Sequence, residues 1–187
     1  NQGSGSRYFQ DMGSYAWAAP YVDLLYEAGV ITGTGGQRYR PADAVSRGDF
    51  MLMLYRAFQL TPASGAGFPD VPPGSYYAQA IQAARAAGIA SGYPDGGFHP
   101  QEHVTRQDAM VLLERTMQAT GWSLGAANTG YLSGFRDGGM VAPYAQEAMS
   151  HMIEYGIITG TPEQKLNPIQ SISRAEMAVM LARAITF

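Results

Sequence analysis

Apolar residues recur along this chain at helical spacing in six runs, arranged as three pairs. Within each pair, a first run ends at a glycine, and a turn-rich loop leads to a denser apolar run that is typical of a buried helix. The pattern predicts first helices over residues 15–28, 76–87 and 143–155. It predicts second helices that begin at residues 46, 105 and 173 and end near residues 58, 117 and 185. The chain is therefore expected to be all-α.

The three helix pairs are copies of one unit. The arginines that follow the start of the second helices are separated by 59 and 68 residues, and three other markers have the same two separations. These markers are the glycine after the first helix (Gly29, Gly88 and Gly156), the loop glycine (Gly33, Gly92 and Gly160) and the loop proline (Pro41, Pro100 and Pro168). Four markers in one register make a chance similarity implausible.

A pair of short helices cannot bury its apolar face alone, so the three units are expected to share one core. The prediction is a single domain of three helix-loop-helix repeats with pseudo-threefold symmetry, over residues 8–61, 67–121 and 134–187. Residues 1–7 are polar and glycine-rich and are interpreted as a linker or tail. Residues 123–134, which separate the second and third repeats, are interpreted as a surface loop or an ordered strap.

Each second helix begins with a hydroxyl residue, then an arginine, and then an acid three positions after the hydroxyl. This pattern is typical of a capping box, in which the hydroxyl accepts from the third helical N–H and the acid reaches back to the N–H of the cap residue. The three copies are Ser46-Arg47-Gly48-Asp49, Thr105-Arg106-Gln107-Asp108 and Ser173-Arg174-Ala175-Glu176. The arginine breaks the pattern, because acidic side chains are favoured at the positive end of a helix dipole.

Two functions are open for Arg47, Arg106 and Arg174. Beside helix N–H groups, a guanidinium makes an anion pocket that suits a carboxylate on a sugar. Alternatively, each arginine forms a salt bridge with an acid of its own or a neighbouring repeat. The candidate acids are Asp49, Asp108 and Glu176. The two functions are compatible if the acid orients the arginine for a ligand.

An aromatic residue occupies one equivalent position near the start of each first helix. It is a candidate platform for the apolar face of a sugar, with ordinary packing as the alternative. These residues are Trp17, Tyr76 and Tyr144. The loop glycines are explained structurally by a positive φ or a close backbone approach, and functionally by a ligand that comes close to the bare backbone. Each arginine is expected to lie near the loop glycine and the aromatic residue of its own repeat.

Composition narrows the classes of function. The 187 residues carry a net charge of -3, which argues against a nucleic-acid binder. The absence of cysteine excludes disulfides and thiolate metal sites, and no apolar run approaches the roughly 20 residues that span a bilayer. No cofactor or metal is predicted. The only residues that favour a glycan hydrolase are the three carboxylates at the helix starts. They recur at the same position in every repeat, which does not fit the asymmetric acid–base pair of such an enzyme.

The motifs together resemble those of the S-layer homology domain, over about residues 8–187. The second repeat matches best, with Gly-Tyr-Pro-Asp-Gly-Gly-Phe-His-Pro at residues 92–100 and Val-Thr-Arg-Gln-Asp at residues 104–108. All three repeats open with Phe-X-Asp, at residues 9–11, 68–70 and 135–137, and the third keeps Ile-Ser-Arg-Ala-Glu at residues 172–176. The first repeat departs most, with Gly48 inside the helix start and Asp49 as a shorter acid.

The resemblance implies a three-pronged, spindle-like domain with ligand grooves between neighbouring prongs. It implies a non-enzymatic, extracellular anchor that binds a secondary polysaccharide of the bacterial cell wall. In many members of the family the recognised group is a pyruvylated N-acetylmannosamine, whose ketal carries a carboxylate. The module is then expected to be a monomeric part of a larger surface protein, with Arg106 and Arg174 as stronger ligand candidates than Arg47. A structural or protein-interaction module, whose arginines form only ion pairs between repeats, is the alternative.

Overall fold

The computed structural model describes residues 5–65 and 67–187, and it is helical, as predicted. Each repeat contributes a first helix of nine residues and a longer second helix. The first helices are α1 (Ala19–Glu27), α3 (Ala78–Ala86) and α5 (Gln146–Glu154). The second helices are α2 (Arg47–Ala57), α4 (Arg106–Ala119) and α6 (Arg174–Ile185). Residues 1–4 of the predicted linker lie outside the described residues, whereas the amide of Arg7 donates to Asp23 of α1 at 2.9 Å.

The first helices begin later than predicted. In the first repeat, residues 12–18 form successive turns, in which the Tyr15 amide donates to the Met12 carbonyl at 2.9 Å. In the third repeat, a short 3-10 helix at Pro143–Ala145 precedes α5. The aromatic residues at the equivalent position therefore lie ahead of the α-helices rather than on them. The helices end as predicted at left-handed glycines, whose φ angles are 76°, 78° and 72° for Gly29, Gly88 and Gly156.

The helices pack in a ring rather than as three separate pairs. The second helix of each repeat packs against the first helix of the next, so that α2 contacts α3, α4 contacts α5 and α6 contacts α1. Helix α2 also contacts α4 and α6, which places the second helices at the centre. Their apolar side chains, among them Phe50, Leu113 and Leu181, are fully buried in one core. The prediction of a shared core is therefore confirmed.

The starts of the second helices close this ring. Three isolated antiparallel β-bridges join the cap regions of neighbouring repeats, between Ser46 and His103, Thr105 and Ser171, and Ser173 and Ala44. The first two N–H groups of each second helix have no acceptor within the helix, and they donate to loop carbonyls of the next repeat. In the first repeat, the Arg47 amide donates to the Glu102 carbonyl and the following amide donates to Pro100, both at 2.8 Å. Each repeat is thus capped by the next, and the third by the first.

The Phe-X-Asp motif holds the loop of its own repeat. In the second repeat, the Asp70 carboxylate accepts from the amides of Phe98 and His99 at 2.9 and 2.8 Å. Burial would raise the pKa of Asp70, but these amide hydrogen bonds outweigh it and hold the pKa below its ordinary value. The Phe68 ring covers Gly92, where an added Cβ would lie 2.7 Å from the ring. The motif therefore fixes both the backbone and the packing of the loop.

The segment between the second and third repeats is an ordered strap, which we define as residues 123–134. Thr129–Gly134 form a 3-10 helix on it, and Leu132 is buried. The carbonyl of Leu132 lies so close to Gly138 that a Cβ at that position would overlap the oxygen. The strap is therefore packed directly against the start of the third repeat.

We expect Gly138→Ala to lower the free energy of unfolding by about 2–3 kcal/mol, because the added methyl meets a backbone carbonyl that moves only with the strap. Gly139→Ala is the matched control, since a Cβ there meets no atom within 4 Å, and its effect is expected to stay within about 0.5 kcal/mol. Urea unfolding measures both variants. Equal losses would show that the close contact at Gly138 does not constrain the fold.

Candidate functional site

All three cap hydroxyls make the predicted hydrogen bond, but only one of the three acids does. The cap hydroxyls accept from the third helical amide at 3.1, 3.2 and 3.1 Å, in the order Ser46, Thr105 and Ser173. The Glu176 carboxylate accepts a hydrogen bond from the Ser173 amide at 3.2 Å, which completes the capping box. The prediction is wrong for Asp49 and Asp108, because each shorter side chain instead accepts from a tyrosine hydroxyl of the next repeat.

The amides at the helix starts are already used by the protein. The first two amides of each second helix bind loop carbonyls of the next repeat, and the third binds the cap hydroxyl. The expectation that these amides form part of an anion pocket is therefore wrong. An anion at these helix starts has to be held by side chains, above all by guanidinium groups.

Each of the three arginines reaches across to the following repeat. The Nε atoms donate to loop carbonyls at 2.9, 2.8 and 2.8 Å, from Arg47 to Phe98, from Arg106 to Leu166 and from Arg174 to Tyr39. The same loop residues donate their amides to the Phe-X-Asp carboxylates. The bond from Nε fixes the position of each guanidinium and leaves its two terminal nitrogens for other partners.

Three grooves lie between the repeats, and each draws on all three repeats. A groove combines the arginine of one repeat, the loop glycine and helix-start acid of the next, and the aromatic residue of the one after. Groove A contains Arg174, Gly33, Asp49 and Tyr76; groove B contains Arg47, Gly92, Asp108 and Tyr144; groove C contains Arg106, Gly160, Glu176 and Trp17. The structure therefore brings the predicted residues together, but the expectation that each set comes from one repeat is wrong. Packing of each second helix on the next repeat carries the arginine out of its own groove.

In grooves A and B, a tyrosine hydroxyl engages the acid. Tyr76 donates to Asp49 at 2.5 Å, and Tyr144 donates to Asp108 at 2.6 Å. Burial, together with these hydrogen bonds, raises the pKa of each tyrosine to about 12. The phenols therefore stay protonated and keep donating at neutral pH. The two acids are satisfied without an arginine.

Arg47 and Arg174 consequently have no acid partner within the described part of the chain, where their terminal nitrogens make no hydrogen bond. Arg47 is 8% exposed, and its Cζ lies 4.7 Å from the ring centroids of both Tyr93 and Phe98. The Cζ of Arg174 lies 4.6 Å from the ring centroid of Tyr39. The terminal nitrogens that make no hydrogen bond are accessible to solvent in the grooves, where they can donate to an anion.

Groove C is arranged differently. Trp17 has no hydroxyl to offer, and Glu176 forms an ion pair with Arg106 instead. Leu166 stands where the other two loops carry an aromatic residue against the arginine. Burial lowers the pKa of Arg106, and the nearby Asp137 opposes that shift. The ion pair between repeats, which was the alternative for all three arginines, is thus present at Arg106.

Each repeat also contributes a second arginine, which was not among the predicted site residues. Arg56, Arg115 and Arg183 lie nine positions after the first arginine of their repeats and line grooves A, B and C respectively. Each donates to the carbonyl of a residue just after the first helix, at 3.3, 3.3 and 3.2 Å. Their separations of 59 and 68 residues are the repeat register itself, so the signal was present in the sequence. Each groove is lined by two guanidinium groups and one carboxylate.

The aromatic residues are exposed at the grooves, whereas the loop glycines are explained by backbone conformation and packing. The aromatic side chains stand at the groove walls with exposed fractions of 53% for Trp17, 69% for Tyr76 and 63% for Tyr144, so core packing does not explain them. The loop glycines have φ angles of 81°, 82° and 81°, and a Cβ on any of them would lie 2.5–2.7 Å from the Phe-X-Asp phenylalanine. Their structural explanation is therefore sufficient, although each also lines its groove.

Residues 5–65 and 67–187 contain neither a metal-binding cluster nor a helix that could span a membrane. No group of three or more His, Asp or Glu side chains in these ranges is placed to hold a metal ion. No helix in the same ranges is long and apolar enough to cross a membrane.

Three stretches of the chain match the S-layer homology domain, at residues 8–51, 67–110 and 134–178. Each stretch runs from the Phe-X-Asp motif through the loop to the start of the second helix. The chain therefore belongs to the S-layer homology domain family. Domains of this family bind cell-wall polymers and anchor larger surface proteins, so the chain is a cell-wall anchoring module located at the cell surface or cell wall.

The chain is similar to parts of much longer proteins. It is 28% identical over 174 residues to an endoglucanase of Bacillus sp. (strain KSM-635), in a match that covers 93% of this chain and 18% of the endoglucanase. It is 29% identical over 180 residues to the surface-layer 125 kDa protein of Lysinibacillus sphaericus, with 95% and 14% covered. It is 25% identical over 177 residues to the S-layer protein of Bacillus thuringiensis subsp. finitimus, with 94% and 21% covered. The chain thus spans about a fifth or less of the length of these relatives.

Proposed function

We propose that this module, as a monomeric part of a larger surface protein, binds a pyruvylated N-acetylmannosamine of the wall polysaccharide through arginines in grooves A and B. One observation carries the proposal. Arg47 is 8% exposed, lies against two aromatic rings, lines groove B and has no acid partner within the described part of the chain. The terminal nitrogens of Arg47 that make no hydrogen bond are accessible from the groove, and a bound carboxylate would supply both acceptors and a counter-charge for them.

A ketal carboxylate suits the chemistry of groove B. Its two oxygens can accept a forked pair of N–H bonds from the Arg47 guanidinium. Arg115 lines the same groove and adds a second positive charge, while Tyr144 engages the one acid, Asp108. The exposed ring of Tyr144 offers an apolar face to the sugar, whereas the Tyr93 ring is covered by Arg47 and His99. Groove A repeats this set, with Arg174 and its own tyrosine–aspartate pair.

This proposal reverses the ranking of the arginines that the sequence suggests, in which Arg106 and Arg174 stand above Arg47. Arg106 is paired with Glu176, so a carboxylate in groove C would have to displace an acid. Arg47 and Arg174 require no such exchange. We therefore propose Arg47 as the principal anion-binding residue and Arg174 as the second.

Binding to purified wall polymer tests the proposal. The affinity of the recombinant module is measured by calorimetry for pyruvylated polymer and for the same polymer with the ketal removed. We expect loss of the ketal to weaken binding by about tenfold or more, since that factor corresponds to one charged hydrogen-bonding partner. Raised salt is expected to reduce this difference. Equal affinities for the two polymers would rule out the carboxylate–arginine mechanism.

A purely structural role for the arginines is the second candidate, and the Arg106–Glu176 pair favours it. In that case the three Nε bonds and this pair only tie neighbouring repeats together. Arginine variants would then lose thermal stability in proportion to any loss of binding. Measurement of both quantities on one set of variants separates the two candidates.

We further propose that the module has no enzymatic activity. Asp49 and Asp108, two of the three carboxylates in the grooves, each accept from a tyrosine hydroxyl, and Glu176 is paired with an arginine. None of the three is arranged as a general acid beside a separate nucleophile. Release of reducing ends from wall polymer by the purified module would contradict this proposal.

A further inference from the structure

Grooves A, B and C are related by the repeat symmetry but differ in size and lining. The cavity volume is about 580 Å³ in groove C, 290 Å³ in groove B and 240 Å³ in groove A. The walls of groove C include the apolar side chains of Ile157, Val179 and Met180. They also include Tyr15 and the half-exposed Trp17, whose ring centroids are 5.9 Å apart. Because Ile157, Val179 and Met180 are themselves buried, the half-exposed Trp17 is the main apolar surface that groove C offers to a ligand.

The positive charge of Arg106 is balanced inside groove C before any ligand arrives. Glu176 uses one carboxylate oxygen for Arg106 and the other for the Ser173 amide. A carboxylate ligand at Arg106 would have to separate this pair and would then lie beside Glu176, where like charges repel. Arg183, the second guanidinium that lines groove C, donates to the Ile157 carbonyl and is the one of these two arginines that an anion could reach without displacing Glu176. An uncharged ligand meets no such barrier, and the paired groups can still exchange hydrogen bonds with its hydroxyls.

We propose that groove C binds an uncharged sugar residue of the wall polymer, stacked on Trp17, while grooves A and B bind the anionic ketal. This inference rests on the proposed function, because it takes the ligand to be a wall glycan. A pyranose ring carries an apolar face of C–H groups, which suits an exposed indole, and hydroxyls, which suit the Arg106–Glu176 pair. The volume of groove C lies within the roughly 300–1,000 Å³ of typical small-ligand pockets.

The division of ligands has a direct consequence for the strength of anchoring. The module then recognises two chemical features on one polymer chain, and occupation of one groove raises the effective concentration of the chain at the next. Trp17 is the residue that determines the specificity of groove C, because an indole replaces the phenol that engages the acid in the other two grooves.

The test measures the affinity of the folded module for polymer without the ketal. We expect residual binding that is insensitive to salt and that Trp17→Ala weakens by about tenfold. Tyr131→Ala is the matched control, since Tyr131 is also a partly exposed aromatic residue but lies on the strap outside the grooves. Thermal melting confirms that both variants fold. The absence of residual binding, or residual binding that Trp17→Ala leaves unchanged, overturns the inference.

Failure of the proposed function gives a different result from failure of this inference. If the wild-type module binds both polymers equally, the ketal mechanism is wrong, and the effect of Trp17→Ala still decides whether groove C binds a neutral sugar. Trp17 and Trp122 are the two tryptophans of the chain, so Trp122→Phe leaves Trp17 as the sole indole. Titration of this variant with ketal-free polymer is expected to change the fluorescence of Trp17 until the signal reaches a plateau. Binding without such a change overturns the inference.

A double variant is expected to shift the specificity of groove C from the neutral sugar towards the anionic ketal. Trp17→Tyr with Glu176→Asp copies the tyrosine–aspartate pair of grooves A and B and frees Arg106. We expect the affinity for pyruvylated polymer to rise about threefold or more and the affinity for ketal-free polymer to fall, because groove C then offers an unpaired guanidinium. An unchanged ratio of the two affinities would show that the identity of residue 17 does not set the specificity of groove C.

Discussion

Arg47→Ala is expected to weaken binding of the module to pyruvylated wall polymer by about 100-fold, because truncating one partner of a buried charge pair typically costs 2–5 kcal/mol. The same variant loses the hydrogen bond from Nε to the Phe98 carbonyl and the contacts with two rings. Its melting temperature should therefore fall by roughly 3–6 °C, as expected for one or two kcal/mol in a domain of this size. Calorimetric titration and thermal melting measure the two effects.

Two further variants control for charge and for geometry. Arg136→Ala removes a positive charge from an exposed position outside the grooves and is expected to leave the affinity within about twofold. Arg47→Lys keeps the charge in groove B but loses the planar fork, so its affinity should lie between those of the wild type and Arg47→Ala. If Arg136→Ala weakens binding as much as Arg47→Ala does, long-range attraction rather than a specific site holds the polymer.

The fold was predictable because its signals are local and occur three times. The spacing of apolar residues gave the helices, and glycines such as Gly88 gave their ends, since a left-handed residue is needed there whatever the tertiary structure. The hydroxyl caps were equally local, as Ser46 shows. The error in the first helices has the same origin, because residues such as Tyr15 satisfy the helical spacing while lying in turns.

The composition of each groove was not predictable from the register alone. The spacing of the markers is the same whether a groove takes its arginine from the repeat that supplies its loop glycine or from the neighbouring repeat. The packing of α2 on α3 decides between them and places Arg47 with Gly92, Asp108 and Tyr144 of the two following repeats. The difference between an arginine paired with an acid and one free of it accompanies two replacements in groove C, where Trp17 lacks the tyrosine hydroxyl and the longer Glu176 stands in place of aspartate.

A buried polar pair holds the strap and has no counterpart in the repeat pattern. His151 of α5 lies with Nδ1 2.5 Å from the Glu114 carboxylate of α4, and its Nε2 donates to the Gly125 carbonyl at 3.2 Å. The side chains of His151 and Glu114 are 4% and 13% exposed. The Tyr155 ring stacks on His151, and its hydroxyl donates to Leu124 at 2.6 Å. This pair therefore joins the second repeat, the strap and the third repeat at one point.

His151→Leu is expected to lower the free energy of unfolding by about 3–5 kcal/mol, because it leaves the Glu114 carboxylate buried without its partner. The double variant Glu114→Leu with His151→Leu should be more stable than His151→Leu alone, since an apolar pair needs no compensation for lost hydration. Urea unfolding of both single variants and the double variant yields the coupling energy between the two side chains. Additive losses would contradict a direct interaction. Because the pair lies outside the lining of all three grooves, the affinity of the folded variants for wall polymer should stay within about twofold of the wild type.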